Sequence, residues 1–335
     1  MRFRYLAASA LFCGLAVGTK YNGLIALFLL TLSVPLLYSR RAPAVPGRSV
    51  RTLGLAGAFF LVAVIVCSPW FIRNYHWTGN PLHPLYSQWF QPKDGDVGDA
   101  ISTGAAPTQV GHGTFTYRRE VYGESGWEIA LLPIRIFFQG KDNDPEYFDG
   151  VLSPFLFFLP FLAFAESEEK TRRNLALWIS FSVLLIFIVF FTADMRVRYI
   201  APAIPGLVIG SVYGLYNLRN RFLPILFFRS QKIAAVIFGV VLSLLFAFNI
   251  KYMVQQFRYR QPLSYLSGEL TRDQYIARYR PEYPVIQELN TATRTGDKVL
   301  AVFLGDRRYY FDQEVRFTRG LLAKYITESA SSAEL

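Results

Sequence analysis

Apolar residues along this chain gather into seven blocks, at about residues 3–18, 21–38, 52–72, 151–165, 175–192, 199–216 and 233–250. A helix needs roughly 20 residues to cross the hydrocarbon core of a bilayer. Each block therefore predicts a membrane-spanning helix. The first and fourth are short, and predict spans that tilt, thin the bilayer locally or borrow flanking residues. The polar turn Thr19-Lys20-Tyr21-Asn22 divides the first block from the second.

Charged residues lie between the blocks or after the last one, and their placement sets an orientation. Arg2 and Arg4 precede the first block, and Arg40, Arg41, Arg48 and Arg51 lie between the second and third. Lys170, Arg172 and Arg173 separate the fourth from the fifth, and Arg219, Arg221, Arg229 and Lys232 separate the sixth from the seventh. With seven crossings all of these groups fall on one side. The bias of short cytoplasmic loops toward Lys and Arg makes that side the cytoplasm. The long loop 73–150 and the tail after residue 250 then face outward. This divides the chain into a transmembrane domain, 1–250, and a soluble tail, 251–335. The start lacks a small-residue cleavage site, and Lys20 interrupts its apolar stretch, so it reads as a membrane helix rather than a signal peptide.

The outer loop opens on Trp70, Tyr75 and Trp77, residues suited to a membrane–water boundary, followed by the turn Gly79-Asn80-Pro81. Asn74 reads as the residue that stops the third helix and satisfies its free carbonyls. A Gly- and Asp-rich stretch, 94–113, precedes an amphipathic segment at 126–138. There Trp127, Leu131, Ile134 and Phe138 share one face, as in a helix lying at the interface. In the tail a helix is expected at 284–292, a turn at Thr295-Gly296-Asp297, and strands at 298–304 and 307–317. The expected fold is a polytopic α-helical membrane protein with a small extracytoplasmic α/β domain at its C-terminus.

Composition supports this class. Hydrophobic residues make up 52% of the chain, with 30 Phe, more than a soluble domain of this length can cover with polar surface. The net charge of +11 follows from basic cytoplasmic loops, so nucleic acid is excluded as a partner. Cys13 and Cys67 both fall inside apolar blocks and read as small buried hydrophobes, not as a disulfide or a zinc site. His76, His83 and His112 lack metal-ligand spacing, and Asp94-Gly95-Asp96 lacks the spacing of a calcium loop. No cofactor is implied and a divalent metal is not supported. The outer loop carries ten carboxylates, Asp94, Asp96, Asp99, Glu120, Glu124, Glu128, Asp142, Asp144, Glu146 and Asp149, and spacing selects none of them as a general base.

Several stretches occur in an order that resembles a family. They are Gly14-Leu15-Ala16-Val17-Gly18-Thr19-Lys20-Tyr21; Pro69-Trp70, Arg73-Asn74, Gly79-Asn80-Pro81 and Pro84; Asp149-Gly150, Pro154 and Pro160; Arg198-Tyr199-Ile200, Pro202 and Pro205; and Lys298-Val299-Leu300 with Arg308-Tyr309-Tyr310. The set resembles bacterial integral-membrane glycosyltransferases of the C-type fold, the group that includes protein O-mannosyltransferases and lipid A aminoarabinose transferases. The resemblance implies a polyprenyl-phosphate sugar as donor, inverting transfer at the periplasmic face of the bacterial inner membrane, and a lipid, glycan or protein acceptor. It also implies an acidic residue in a first outer loop, a position ahead of the stretch containing Lys20. This chain then corresponds to the family without its N-terminal catalytic part: either the true start lies upstream of Met1, or this is a split or decayed copy, and in a split copy a partner subunit would supply what is missing.

Three basic residues are candidates for the donor phosphate. Lys20 sits where a short span turns outward, at headgroup depth, where the alternative is a lysine that snorkels to the interface. Arg198 follows Asp194 at the outer start of the sixth block, with a guanidinium suited to bidentate grip on phosphate; its neighbour Arg196 reads as an interfacial anchor paired with Asp194. Arg73 lies at the outer end of the third block, within reach of a headgroup. No residue is assigned as catalytic. Two functions follow: a membrane glycosyltransferase, or a non-catalytic protein that binds lipid-linked sugars or scaffolds envelope-glycan assembly. A transporter fits less well, because no ionisable group except Lys20 comes near the middle of a span and no inverted repeat is visible.

Overall fold

A computed structural model describes residues 3–41, 48–83, 85–90, 114–166, 168–226, 230–294, 296–301 and 308–317. The chain forms two compact units, Met1–His83 with His112–Lys251, and Pro84–Gly111 with Tyr252–Leu335. Helix α1 (Phe3–Thr19), α2 (Gly23–Arg41) and α3 (Arg48–Thr78) come first. The short α4 (Ser87–Phe90), α5 (Thr114–Val121), α6 (Gly126–Ala130) and α7 (Leu132–Arg135) follow. Next are α8 (Phe155–Leu162), α9 (Glu169–Thr192), α10 (Ile204–Asn217), α11 (Leu223–Leu226) and α12 (Gln231–Arg260).

Three helices, Ser49–Thr78, Glu169–Thr192 and Gln231–Arg260, are long and apolar enough to cross a membrane, with shorter apolar helices at Phe3–Thr19, Gly23–Tyr38 and Phe155–Ala165. The described chain is thus predominantly α-helical. The fourth apolar block forms only eight residues of α-helix and a 3-10 turn, Ala163–Ala165. At 1.5 Å per residue these eleven positions extend about 16 Å, roughly half a hydrocarbon core. Pro154 and Pro160 account for the late start and the interrupted ladder. The sixth block also starts late. Residues 197–203 make two 3-10 turns, and α-helix begins only at Ile204, because Pro202 and Pro205 lack the N–H a longer helix would need.

Small residues set the helix contacts, as expected where apolar side chains gain nothing by leaving lipid. On α1, Gly14 lies against α3, where an added Cβ would collide with the Ala63 carbonyl oxygen and sit 2.8 Å from Val66 Cβ. Ala10, Cys13 and Val17 pack with Ala56, Phe59, Ala63 and Cys67 around it. On α10, Gly206, Gly210 and Gly214 form a stripe with a four-residue repeat facing α8 and α9. A Cβ would meet the Trp178 carbonyl oxygen at 2.7 Å from Gly206 and the Leu159 carbonyl carbon at 2.8 Å from Gly214. Ser182 closes the α9–α10 contact by donating to the Ala203 carbonyl at 2.7 Å. At the far end of α10 the buried Asn217 donates to the Leu162 carbonyl at 2.9 Å, and Arg221 donates to that of Ala165.

The amphipathic segment at 126–138 is two short helices rather than one. Leu131 ends α6 and begins α7, and Pro133 removes the hydrogen bond that would join them. Ile129, Leu132, Ile136 and Phe137 turn into the core, while Trp127, Ile134 and Phe138 stay exposed.

In the second unit α13 (Pro262–Leu266) leads to α14 (Arg272–Tyr279), which opens with a reciprocal capping pair of Thr271 and Gln274. The helix expected at 284–292 is α15 (Tyr283–Ala292). Strands β1 (Lys298–Ala301) and β2 (Glu314–Phe317) pair in parallel, with Val299 opposite Val315. β2 is shorter than the expected 307–317, and β1 is described as far as Ala301. Residues 302–307 lie outside the described residues, and Arg308–Tyr310 is a 3-10 turn.

Candidate functional site

Polar groups of the first unit converge where the 19–22 turn, the loop before α8 and the link between α9 and α10 meet. The loop folds back on itself: Lys141 donates from its backbone to the Tyr147 carbonyl at 2.9 Å, and Gly150 donates to the Lys141 carbonyl at 3.1 Å. Phe148 and Asp149 both adopt positive φ, 69° and 46°. For residues with a Cβ this costs about 1 kcal/mol or more each. Burial of the whole Phe148 ring and a bond from the Val197 N–H to the Phe148 carbonyl, 2.9 Å, hold the turn in that shape. The loop is thereby docked on the 193–200 segment. In that segment Met195 and Ile200 are fully buried, which leaves Asp194, Arg196 and Arg198 beside the loop.

The result is a chain of alternating charge. Arg198 Nη1 lies 2.9 Å from Asp149 Oδ2, and Arg196 Nη1 approaches the same oxygen at 3.8 Å. Arg196 Nε binds Asp194 at 3.1 Å, and Asp194 also accepts from Arg118 Nη1 at 3.1 Å. Arg118 is fully buried and grips Glu124 with two nitrogens, at 2.6 and 2.9 Å, while Nη2 also donates to the Glu146 carbonyl at 2.8 Å. Glu124 accepts in addition from Arg135 at 3.0 Å. Burial alone would lower the Arg118 pKa, but Glu124 and Asp194 outweigh it and hold the guanidinium charged. Burial would likewise raise Glu124, and Arg118 with Arg135 reverses this and pulls its carboxyl below the usual range.

Lys20 joins this chain through an aromatic ring. Its ammonium lies 4.4 Å from the centre of the Tyr199 ring, and the Arg198 guanidinium carbon lies 5.3 Å from the same ring. Asn22 reaches the Tyr199 carbonyl at 3.5 Å. The Lys20 pKa is lowered, first by desolvation, which Tyr199 opposes; Arg198 and Arg196 add to the lowering and Asp149 resists it. Counting Lys20, five cations along this chain face three carboxylates. The surplus is suited to an anionic ligand.

Lys20 and Arg198 thus meet at one ring, and Arg73 lies apart from them. Arg73 stacks between Trp77, at 4.1 Å, and Trp70, at 5.9 Å, on an exposed face of α3. Asn74 does not stop that helix, which continues to Thr78 and ends at Gly79, where φ is 67°. The Asn74 side chain instead donates to Tyr21 Oη at 2.6 Å, and Tyr21 donates to the His83 carbonyl at 2.5 Å, tying the 19–22 turn to the start of the outer loop. Arg196 pairs with Asp194 as its neighbouring position suggests, whereas Arg198 reaches across to Asp149.

Asp149, Arg118, Glu124, Arg135 and Tyr199 are the members that residue types alone did not single out. Arg118 stands in Arg118-Arg119-Glu120, which has the look of a solvated charge run. Asp149 is one of ten loop carboxylates, distinguished only by the Gly150 that follows it. Asp94, Asp96, Asp99 and His112 lie outside the described residues. Among the described residues no group of three His, Cys, Asp or Glu side chains gathers as a metal site. Elsewhere in the first unit, Pro133, Phe157, Phe161, Phe164 and Phe187 line an apolar cavity of about 300 Å³ whose wall includes the core residues Phe137, Ile186 and Leu207.

No family model, curated protein or solved structure matches the chain.

Proposed function

We propose that this chain is a bacterial inner-membrane glycosyltransferase, or the donor-binding portion of one, which holds a polyprenyl-phosphate sugar at the periplasmic face. The observation that carries the reading is the meeting of Lys20 and Arg198, from opposite halves of the membrane region, at the Tyr199 ring. A sugar phosphodiester has one negative charge, and the departing polyprenyl phosphate gains a second as the bond to the sugar breaks. Fixed cations beside the phosphate act on that developing charge. The apolar cavity supplies a surface on which an isoprenoid chain could rest. The topology that goes with this reading has seven crossings, the short α8 segment completing its crossing with flanking residues or a locally thinned bilayer, and a small α/β tail outside. The acceptor is a lipid, glycan or protein.

A second reading has its own support. Each carboxylate of the cluster, Asp149, Asp194 and Glu124, is engaged by at least one arginine, which leaves none poised as a base. On that ground the chain is a binding subunit for lipid-linked sugars and a partner performs the transfer. Binding of a polyprenyl-phosphate sugar to the purified protein in nanodiscs tests both readings at once. Lys20→Glu and Arg198→Glu should each abolish it, and binding that survives both reversals removes the site. Sugar transfer to an acceptor by the protein alone then separates enzyme from binding subunit.

A further inference from the structure

We infer that Asp149 is a built-in counter-anion that competes with phosphate ligands for Arg198, so that the site is guarded against the bulk anionic headgroups around it. The inference rests on the proposed phosphate site and adds a specificity element to it. Its first support is position. The Asp149 carboxylate takes Nη1 of Arg198 at 2.9 Å and lies 3.8 Å from that of Arg196. These are the donors a phosphate oxygen would use.

The second support is the backbone. A flexible loop acid would fold away from its partner at little cost, but Asp149 is held by its main chain at a φ of 46°, next to Phe148 at 69°. The buried Phe148 ring, its carbonyl bond to Val197 and the Asp149 N–H bond to the Asp144 carbonyl, 2.9 Å, fix that geometry. Strain retained by surrounding contacts is characteristic of functional positions. Here it delivers one carboxylate to the arginines.

The third is direction. In an inverting transfer the base stands opposite the leaving phosphate, while Asp149 shares an arginine with the phosphate position and stands on the leaving-group side. It is therefore a specificity residue and not the base. An unguarded basic cluster at headgroup depth would fill with any anionic phospholipid. A competing carboxylate lowers the affinity for every phosphate by a common factor, so that headgroups held by charge alone no longer fill the site, while a ligand with further contacts, from sugar or isoprenoid, still occupies it.

The test is native mass spectrometry titration of the detergent-solubilised protein with a polyprenyl monophosphate, phosphatidylglycerol and inorganic phosphate. Asp149→Asn is the decisive variant, because Asn tolerates positive φ as well as any residue with a side chain, and an unchanged melting temperature confirms its fold. The inference expects it to bind both lipids about fivefold tighter, the scale of a partly exposed ion pair, and to lose the tightening when combined with Arg198→Gln. Tightening that extends to inorganic phosphate identifies the headgroup alone as the competitor; tightening for the lipids only assigns it to membrane-anchored ligands. If wild type binds and Arg198→Gln weakens binding, but Asp149→Asn binds no tighter, the inference falls and the phosphate site stands. If wild type and Arg198→Gln bind alike, the proposed site itself falls.

Discussion

The ammonium of Lys20 lies 4.4 Å from the centre of the Tyr199 ring, on the far side of the sequence from the helix that carries it. Asn22 holds the carbonyl of the same residue at 3.5 Å, so the turn is attached to Tyr199 by both ring and backbone. The ring also faces Arg198. Its π surface therefore lets Lys20 and Arg198 share one small region. Tyr199→Phe keeps the face and should retain polyprenyl-phosphate binding. Tyr199→Leu removes it, and a cation–π contact of about 1 kcal/mol predicts roughly fivefold weaker binding. Equal affinity of the Phe and Leu variants in nanodisc titrations would show that the ring does not organise the cations.

Arg118 should govern stability rather than ligand contact. It is fully buried and binds Glu124, Asp194 and the Glu146 carbonyl. Removing one member of a buried ion pair leaves the other charge uncompensated, at about 3–5 kcal/mol. Arg118→Met should lower the unfolding temperature strongly, while a double variant, Arg118→Met with Glu124→Leu, should recover part of the loss. Failure of the double variant to recover any of it would indicate that packing of the arginine stem, and not charge, is what matters.

The same pair predicts an acid-sensitive fold. Glu124 has a pKa lowered in the folded state from its ordinary 4.5, and a depressed carboxyl contributes stability that is complete above the unfolded pKa. That contribution is lost as pH falls through the lower, folded value. The unfolding temperature should therefore hold steady down to about pH 5 and decline below it. Glu124→Gln should start lower and show a shallower decline. Parallel acid limbs for the two proteins would assign the decline to other carboxylates.

The part of the fold legible beforehand is the part set by hydropathy. Blocks of apolar residues mark α1, α2, α3, α9 and α12 because each such helix satisfies its own backbone within lipid. Where prolines punctuate a block, hydropathy reads too far. Pro154 and Pro160 shorten α8, and Pro202 and Pro205 delay α10. Lys20 and Arg198 were visible as cations at block ends, but their meeting at Tyr199 is a tertiary fact. The pairing of Arg198 with Asp149 was hidden for the same reason: ten loop carboxylates look alike until backbone contacts bring one to the arginine. The repeat Gly206, Gly210, Gly214 is a packing feature that the hydropathy reading passes over, because glycine hardly changes the apolar pattern.

That stripe supplies an internally controlled test of packing. A Cβ at Gly214 would collide with the Leu159 carbonyl group, whereas one at Gly239 on α12 meets nothing within 4 Å. Gly214→Ala should destabilise by about 1–3 kcal/mol, the range for overpacking. Gly239→Ala should be neutral or slightly stabilising, since Ala is the better helix former. Thermal unfolding of the two variants in one detergent compares them directly. Equal tolerance would mean that α8 and α10 do not approach as closely as the glycine contacts require.

Orientation is the remaining expectation with a direct measurement. Cys13 and Cys67 are buried, at 6% and 2% exposure, so the native thiols should give little background in maleimide labelling. Lys141 is exposed in the outer loop, and Arg172 is exposed near the start of α9, in the group of basic residues assigned to the cytoplasm. Lys141→Cys should react with a membrane-impermeant maleimide in intact spheroplasts. Arg172→Cys should react only after permeabilisation. The exposed Leu266 on α13 allows the same test of the tail, and Leu266→Cys should label from outside. A tail that labels only after permeabilisation, with Lys141→Cys still accessible, would require an even number of crossings between them to become odd. The half-length α8 is the first segment whose assignment would then change, because a re-entrant hairpin there would invert everything that follows it.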